Sequence, residues 1–381
     1  MQIVKNVLIG RSGCRAGMAS ININEATTRN LQSMKKERPT IHDIARKLKI
    51  TASTVSRALN DHPRISDVTK KAVRKTAMKL NYQPNHIAAA LRNGKSQVLG
   101  VIVPTVDRTF FASVVRGVEE IANKSRYNVM ICQTYDDSEK EIATVEALLN
   151  ARVDGIIVSY AKQTVSFEHF QKVKEKGIPL IMFDRANDAL NVSQVVIDDF
   201  LGAYEATTHL IAQGCQRIAH FTSRSRLSIY RERLRGYKEA LTDHGLVYYE
   251  DLVLESNLLL EDGRFCMEQL MQKKLMPDAI FSASAHGAMG AMQLLIENGI
   301  RVPDQVAVVA FSNEPFTEFS EPALTTVDQH SIRMGNAVAE IFLDEISGGH
   351  KKFVPQKIVL KPELIIRKSS LRKSGRSLYI L

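Results

Sequence analysis

The chain has 381 residues, with 51 Lys and Arg against 41 Asp and Glu, 44% apolar and 24% charged. This is the composition of an ordinary globular protein with room for two or three domains. Disorder, collagen and coiled coil are excluded as descriptions of the whole, and no apolar run approaches the roughly 18–20 residues of a membrane span. Four cysteines lie dozens of residues apart (Cys14, Cys132, Cys215, Cys266), a spacing that suits neither a zinc site nor a disulfide scaffold.

Charge is unevenly distributed. Residues 1–97 hold 19 basic and 5 acidic side chains (+14), residues 98–349 hold 23 and 35 (−12), and residues 350–381 hold 9 and 1 (+8). A basic head on an acidic body points to two tasks in one chain. Residues 1–33 show no sustained period, and Met34, just before the first helix signal, reads as the natural start. Residues 1–38 are therefore expected to be an extra, disordered arm. The apolar run before Cys14 is four residues long and flanked by Arg11 and Arg15, too short for an export signal, so a cytoplasmic location is expected.

Thr40 with Asp43 three residues on is a capping-box pattern, and Ile41, Ile44, Ala45 and Leu48 fall on one helical face. After a break at Lys49-Ile50, Thr51 caps a second helix with Val55, Ala58 and Leu59 facing inward. A third helix covers 66–80, with Ala72, Val73, Thr76, Ala77 and Leu80 as its inner face. Residues 39–83 form one small helical domain. Pro84 interrupts, and a short helix is expected within 84–96, ending at Asn93-Gly94. Helix, tight turn and helix make a helix-turn-helix, whose second helix enters the major groove. Here it begins Thr51-Ala52-Ser53-Thr54-Val55-Ser56-Arg57 and leaves Ala52, Ser53, Ser56 and Arg57 to face outward. Arg57 can read guanine in bidentate fashion, and the hydroxyls suit bases or phosphates.

Beyond Ser96, apolar runs of strand length (98–103, 128–132, 155–159, 179–183, 217–221, 279–281, 306–311) alternate with helical stretches (110–125, 140–150, 167–176, 200–212, 231–244, 262–272, 288–298, 332–346). Continuous Val and Ile runs mark parallel strands buried on both faces, so the body is α/β, and its length implies two doubly wound parallel-sheet subdomains with a cleft between them. The expected division of 97–366 is a first subdomain of about 97–197 plus 329–350 and a second of about 198–328 plus 351–366, followed by a loose basic tail, 367–381. No dinucleotide, metalloprotease or hydrolase signature occurs, and Gly94-Lys95-Ser96 lacks the earlier glycine and the strand of a phosphate-binding loop. No catalytic residue, metal or cofactor is expected. His286 and His330 are placed near the cleft and read as ordinary hydrogen-bonded histidines.

The stretch T-I-H-D-I-A-R-K-L-K-I-T-A-S-T-V-S-R-A-L-N (Thr40 to Asn60) closely resembles the DNA-binding domain of the lactose-repressor (LacI/GalR) family, and N-Y-Q-P-N-H-I-A-A-A-L-R (Asn81 to Arg92) resembles its hinge helix. The likeness continues through V-D-G-I-I-V-S, P-L-I-M-F-D-R, E-R-L-R-G-Y, R-V-P-D-Q-V-A-V-V-A-F-S-N and P-A-L-T-T-V-D-Q, from about Pro39 to Lys368. It implies a body like the periplasmic binding proteins, and a homodimer that binds operator DNA as a transcription regulator, by default a repressor. It also implies a small-molecule effector, a sugar or sugar derivative, in the cleft. A solute-binding protein is the alternative. It lacks a reason for the basic head.

By that resemblance Ala52, Ser53 and Arg57 read bases, while Thr51, Thr54, Ser56, Asn60, Ser66, Thr69 and Tyr82 meet phosphates. Leu91 is the apolar wedge that opens a central base step, beside Asn85 and Ala88. Ala89 departs from the family's frequent Arg. In the cleft the resemblance assigns Phe110, Phe111, Asp184 and Arg233 to the effector. Ser284 and Ser312 stand where the family often has Asn-Asp or Asp. Losing those carboxylates leaves three readings open: an acidic or phosphorylated sugar, an effector that is not a free sugar, and a cleft that binds nothing.

Overall fold

The computed structural model describes residues 39–82, 95–347 and 354–372. The N-terminal arm and the hinge segment with Asn85, Ala88 and Leu91 lie outside the described residues. The chain divides into two compact units, the first ending at Asn85.

The head is three helices: α1 (Ile41–Leu48), α2 (Ala52–Leu59) and α3 (Asp67–Lys79). Each start is set by a side chain. The Asp43 carboxylate accepts the Thr40 N–H (2.9 Å) and hydroxyl (2.8 Å), Thr51 Oγ1 accepts the Thr54 N–H (3.2 Å), and Ser66 Oγ accepts that of Thr69 (3.4 Å). The turn between α1 and α2 is tight because Lys49 adopts a left-handed conformation (φ 55°) and Ile50 N–H reaches back to the Ala45 carbonyl. Ile44, Ala45, Val55, Ala58, Val73, Thr76 and Ala77 fill the centre. Ala72, expected on the inner face, is exposed. The 100° step from Val73 carries it out of the narrow stripe that two short helices can cover.

The body contains two six-stranded sheets. The first uses β1 (Val98–Val103), β2 (Asn128–Gln133), β3 (Gly155–Val158), β4 (Leu180–Phe183), β5 (Ser193–Ile197) and β11 (Lys357–Leu360), in the order β11-β5-β4-β3-β1-β2, all parallel. The second uses β6 (Ile218–Ser223), β7 (Val253–Ser256), β8 (Ala279–Ser282), β9 (Ala307–Phe311), β10 (Thr325–Asp328) and β12 (Glu363–Ile365), in the order β12-β10-β9-β8-β6-β7, with β12 alone antiparallel.

Helices cover both faces. On the first sheet α4 (Thr109–Lys124) and α11 (Ser331–Ser347) pack over one side, and α5 (Ser138–Asn150) and α6 (Glu168–Glu175) over the other. On the second, α7 (Asp199–Ala212) and α8 (Ser228–Asp243) lie opposite α9 (Leu260–Gln272) and α10 (Ala285–Glu297). One apolar cluster runs from the α5–α6 side through Leu227, Ile229 and Tyr230 to the α9–α10 side, joining the two subdomains. No helix among the described residues is long and apolar enough to cross a membrane.

Five strands escape the apolar-run criterion. β5 opens Ser-Gln, β7 is a half-exposed edge, β10 begins with two threonines, and β11 and β12 are short, partly exposed additions. Two boundaries change accordingly. Residues 351–366 do not all join the second subdomain: β11 pairs with β5 in the first sheet, so the chain crosses over only at Lys361-Pro362. Nor is 367–372 a loose tail. Ser369 and Ser370 are fully buried, Ser369 Oγ donates to the Val308 carbonyl (2.6 Å), and Arg367 donates to Leu324 O, Thr326 Oγ1 and Asn313 Oδ1, each at 2.9 Å. These bonds satisfy the polar threonines of β10, which a central strand could not otherwise bury. Ser96, from the rejected phosphate-loop triplet, ties its N–H (2.8 Å) and hydroxyl (2.9 Å) to Asp154.

His220, on β6, is fully buried between the Tyr237 and Phe281 rings. Its Nδ1 lies 2.9 Å from the Phe281 carbonyl, and its Nε2 has no partner among the described residues. Burial pushes the imidazole down to about 4. A folded-state value below the ordinary 6.5 means that the unfolded chain binds the proton first, so the contribution is fully present above pH 6.5 and is lost as pH falls toward 4. The unfolding free energy of the wild type, measured against His220→Phe in urea, should fall by about 2 kcal/mol between pH 7 and pH 5. A difference that stays flat with pH would contradict the neutral, buried assignment.

Candidate nucleic-acid interface and inter-subdomain cleft

On the head, Thr51, Ser53, Arg57, Asn60 and Ser66 are exposed, while Ala52, Thr54, Ser56, Thr69 and Tyr82 are half-buried. Thr51 is central to a hydroxyl cluster, 2.9 Å from both Ser53 Oγ and Thr54 Oγ1. Asn60 ends α2 by donating to the Ser56 carbonyl (2.8 Å), and Ser66 Oγ lies 2.9 Å from Thr69 Oγ1. Tyr82 packs against the head core. The outward side of α2 therefore presents hydroxyls, small side chains and one guanidinium. Residues 34–97 carry a net +11, the electrostatic footprint of a phosphate-binding surface.

In the body, strand order reverses between β1 and β3 in the first sheet and between β6 and β8 in the second. Ligands of open parallel sheets sit beyond the carboxyl ends at such reversals. The residues found there include Phe110 and Phe111 after β1, Asp184 and Arg185 after β4, Ser284 after β8, and Ser312 and Glu314 after β9. All of them, with Arg108, Arg233 and His286, line one inner cavity of about 40 Å³. The six cleft residues singled out in the sequence are thus brought together.

Their surroundings refine each assignment. Phe111 is mainly core, edge-on to Phe183, while Phe110 is partly exposed beside it. Asp184 and Ser312 are equivalent positions. Each ends the fourth strand of its half in a left-handed conformation (φ 57° and 77°) and donates its N–H to the neighbouring strand at 3.1 Å, Asp184 to Val195 and Ser312 to Val327. Non-glycine residues held there are strained, and such strain collects at functional sites. Asp184 is buried and accepts the Ser159 hydroxyl (3.3 Å). Burial raises its carboxyl above the usual range, against the pull of Arg185 and Arg233.

Arg233 lies in the second turn of α8 rather than opening it, because the helix starts at Ser228. Its guanidinium donates from Nε to Asp199 Oδ1 (2.8 Å) and from Nη1 to the Ala283 carbonyl (2.9 Å), with its Cζ 3.8 Å over the Phe311 ring. Gly236 makes this possible: a Cβ there would sit 2.3 Å from the Phe200 carbonyl, so only glycine lets α8 approach α7 closely enough for Arg233 to meet Asp199.

Three residues escaped sequence reasoning. Glu314, buried in the second subdomain, accepts the Thr109 N–H (3.2 Å) at the start of α4 in the first, and so supplies a carboxylate two positions after Ser312. Arg185 bonds Asp136 and the Tyr160 carbonyl, yet its buried Nε has no hydrogen-bond partner among the described residues and lies 3.8 Å from Asp184. Asp199 is the third. The only signal for Asp199 and Arg185 was an extra charge next to a strand end, and for Glu314 not even that. His286 lines the cavity, held below the ordinary imidazole range by burial and by Arg108, and His330 sits at a crossover beside Asp328 and Glu363. Among the described residues no cluster of three or more His, Cys, Asp or Glu is arranged to hold a metal.

Comparison with known proteins agrees with both parts. Residues 40–85 match the model of bacterial regulatory proteins of the lacI family, and residues 96–368 that of periplasmic binding proteins and the sugar-binding domain of the LacI family. Similar curated proteins include catabolite control protein A of Priestia megaterium, 30% identical over 86% of this chain and 97% of its own length. The transcriptional repressor PurR of Haemophilus influenzae strain PittEE is 32% identical over 87% and 98%. Among solved structures, the regulator CelR in complex with cellobiose has a TM-score of 0.66 at 28% identity, covering 87% of this chain and 100% of its own. The lac repressor dimer bound to operator and the anti-inducer ONPF shares the fold, with a TM-score of 0.78 at 24% identity over 88% and 100%.

Burial pushes the Asp199 carboxyl up to about 7 despite its bond to Arg233, so this acid, unlike the guanidinium, can become neutral when its partner is removed. Asp199→Asn, which leaves a guanidinium that cannot lose its charge buried without its carboxylate, should cost about 3–5 kcal/mol of unfolding free energy at pH 8, and Arg233→Met, whose stranded Asp199 can take up a proton, distinctly less. Equal losses in urea titrations would contradict this asymmetry.

Proposed function

Because the chain belongs to the lacI family of bacterial regulatory proteins, as a DNA-binding transcriptional regulator, we propose that it is a repressor whose dimer binds a pseudo-palindromic operator and is controlled by a small molecule in the inter-subdomain cleft. Convergence of the six cleft residues on one cavity is the observation that carries the effector half of this reading. Arg57, exposed on α2 in a strongly basic head, carries the DNA half.

Phosphate contacts from Thr51, Thr54, Ser56, Asn60, Ser66, Thr69 and Tyr82 would position α2, and Ala52, Ser53 and Arg57 would read base edges. Asn85, Ala88 and Leu91 would act in the minor groove, Leu91 as the wedge. Two-fold operators need a two-fold protein. The edge strand β2 supports a subunit contact in the body: Met130 and Ile131 on it, and Tyr135 beyond it, are more than two-fifths exposed. Exposed apolar side chains on a sheet edge invite association.

The proposed effector is a sugar derivative, acidic or phosphorylated. Arg108, which has no ion-pair partner among the described residues, favours an anion, and Ser284 and Ser312 stand where two carboxylates would repel it. Metabolite pockets usually measure about 300–1,000 Å³, so an effector of hexose size enters the inner cavity only if the subdomains part. That movement would break the Glu314–Thr109 bond, which gives the ligand differential contacts with an open and a closed body.

Two measurements test this. Sequencing of DNA retained by the full-length protein from a genomic fragment pool should return an inverted repeat with a central C-G step. Arg57→Ala should weaken that operator by about 1–3 kcal/mol and leave random DNA nearly unaffected; equal losses on both would remove the base-reading role. In sedimentation, Ile131→Glu should shift the dimer toward monomer and weaken operator binding with it. An unchanged dimer would place the subunit contact elsewhere.

A further inference from the structure

The inner cavity is not the most spacious part of the body. A chamber of about 660 Å³, within the size range of metabolite sites, lies on the outer side of the cleft and shares only Asp184 with the inner cavity. Its origin is topological. Helices α5 and α6 cover β1, β3 and β4, but among the described residues no helix packs on that face of β5 and β11, so Gln194, Val196 and Val359 form a floor. The opposite wall is the start of α8, in the other subdomain.

We propose that this outer chamber is a second small-molecule site, for a hydroxylated phosphomonoester of the sugar-phosphate class. Two independent features point to such a ligand. The first is the anion-binding wall. The N-cap of the 16-residue helix α8 is Leu227, whose side chain makes no capping bond, and its first turn holds no acidic residue. The start of that helix, with the positive end of its dipole and no side-chain cap, therefore lies at the chamber wall. Arg226, one residue before the helix, is exposed and has no ion-pair partner among the described residues, and Arg231 lies on the same wall.

The second feature is a stranded acceptor. Gln194 is 4% exposed; its Nε2 donates to Asp188 Oδ1 (3.0 Å), which fixes the orientation of the amide, and its Oε1 is left buried with no donor among the described residues. A lone buried acceptor is costly, and a ligand hydroxyl would supply the missing donor. The acids of the chamber are already engaged: Asp199 with Arg233, Asp188 with Lys357, Glu232 with Arg235, Asp198 in capping the Leu201 N–H, and the buried Asp184 with the Ser159 hydroxyl and Arg185. An anionic head group at α8 and hydroxyls over Gln194 are thus accommodated by the same space, whereas a neutral sugar leaves the cationic wall unused.

Calorimetry of the full-length protein with glucose 6-phosphate, glucose and inorganic phosphate tests the assignment, using Arg226→Glu and Gln194→Leu against Phe110→Ala in the inner cavity. Glucose 6-phosphate should bind the wild type far more tightly than glucose. Arg226→Glu should weaken it by about tenfold or more and Gln194→Leu by several-fold, and Phe110→Ala should leave it within about twofold, as Phe110 does not line the chamber. Arg226 is exposed, so its variant is not expected to unfold the protein. No binding of glucose 6-phosphate to the wild type overturns the proposal. So does binding that survives Arg226→Glu but is lost in Phe110→Ala, a pattern that would assign the ligand to the inner cavity and leave the effector reading intact. Failure of that reading shows separately, as operator binding unmoved by any cleft ligand.

Discussion

The cleft depends on one buried interaction, the contact of Arg233 with Asp199. The guanidinium joins α8 to α7 through the carboxylate, reaches the Ala283 carbonyl at the end of β8, and lies flat over Phe311 at the end of β9. Four elements of the second subdomain are thereby held in register at the edge of the cavity. A buried charge is expensive unless paired and hydrogen-bonded, and here the pairing is possible only because Gly236 allows two helices to approach at backbone distance. The raised Asp199 carboxyl shows how nearly the desolvation of the pair offsets its attraction.

Around that anchor the two halves repeat one plan. Each sheet reverses its strand order once, each fourth strand ends at a left-handed residue, and each reversal points its loops at the other half. Function follows from where the repeats differ. The first half contributes Asp184 and Arg185, the second Ser312 and Glu314, and the Glu314–Thr109 bond makes the helix α4 N-terminus sensitive to separation of the halves. Among the described residues, helical cover on one face also stops short of β5 and β11, which leaves room for the outer chamber.

The division of charge has a physical counterpart in the fold. Basic residues concentrate on a head whose core is a few small and branched side chains, leaving most of its surface free for solvent-exposed cations. The acidic body pairs most of its buried charges internally, and even part of the basic C-terminal segment is drawn in. Arg367 and Arg372 are spent on backbone and side-chain oxygens of the second subdomain rather than on an external polyanion.

How much of this was legible in the sequence depends on the range of the interactions. The three head helices, their caps at Thr40, Thr51 and Ser66, seven strands and the parallel architecture follow from local pattern, because capping and apolar periodicity act over a few residues. The motif positions that converge on the inner cavity were also readable, since strand ends in a doubly wound sheet are where ligands sit. Tertiary structure alone decided the rest. β10 looks too polar to be a buried strand until Arg367, Ser369 and Ser370 arrive from more than 40 residues away to satisfy it. β11 has no local signal for which sheet it joins, and neither Asp199 nor Glu314 carries a pattern that names its partner 34 or 205 residues away. Such pairings are set by which chain segments meet in space, and a one-dimensional pattern holds no record of that.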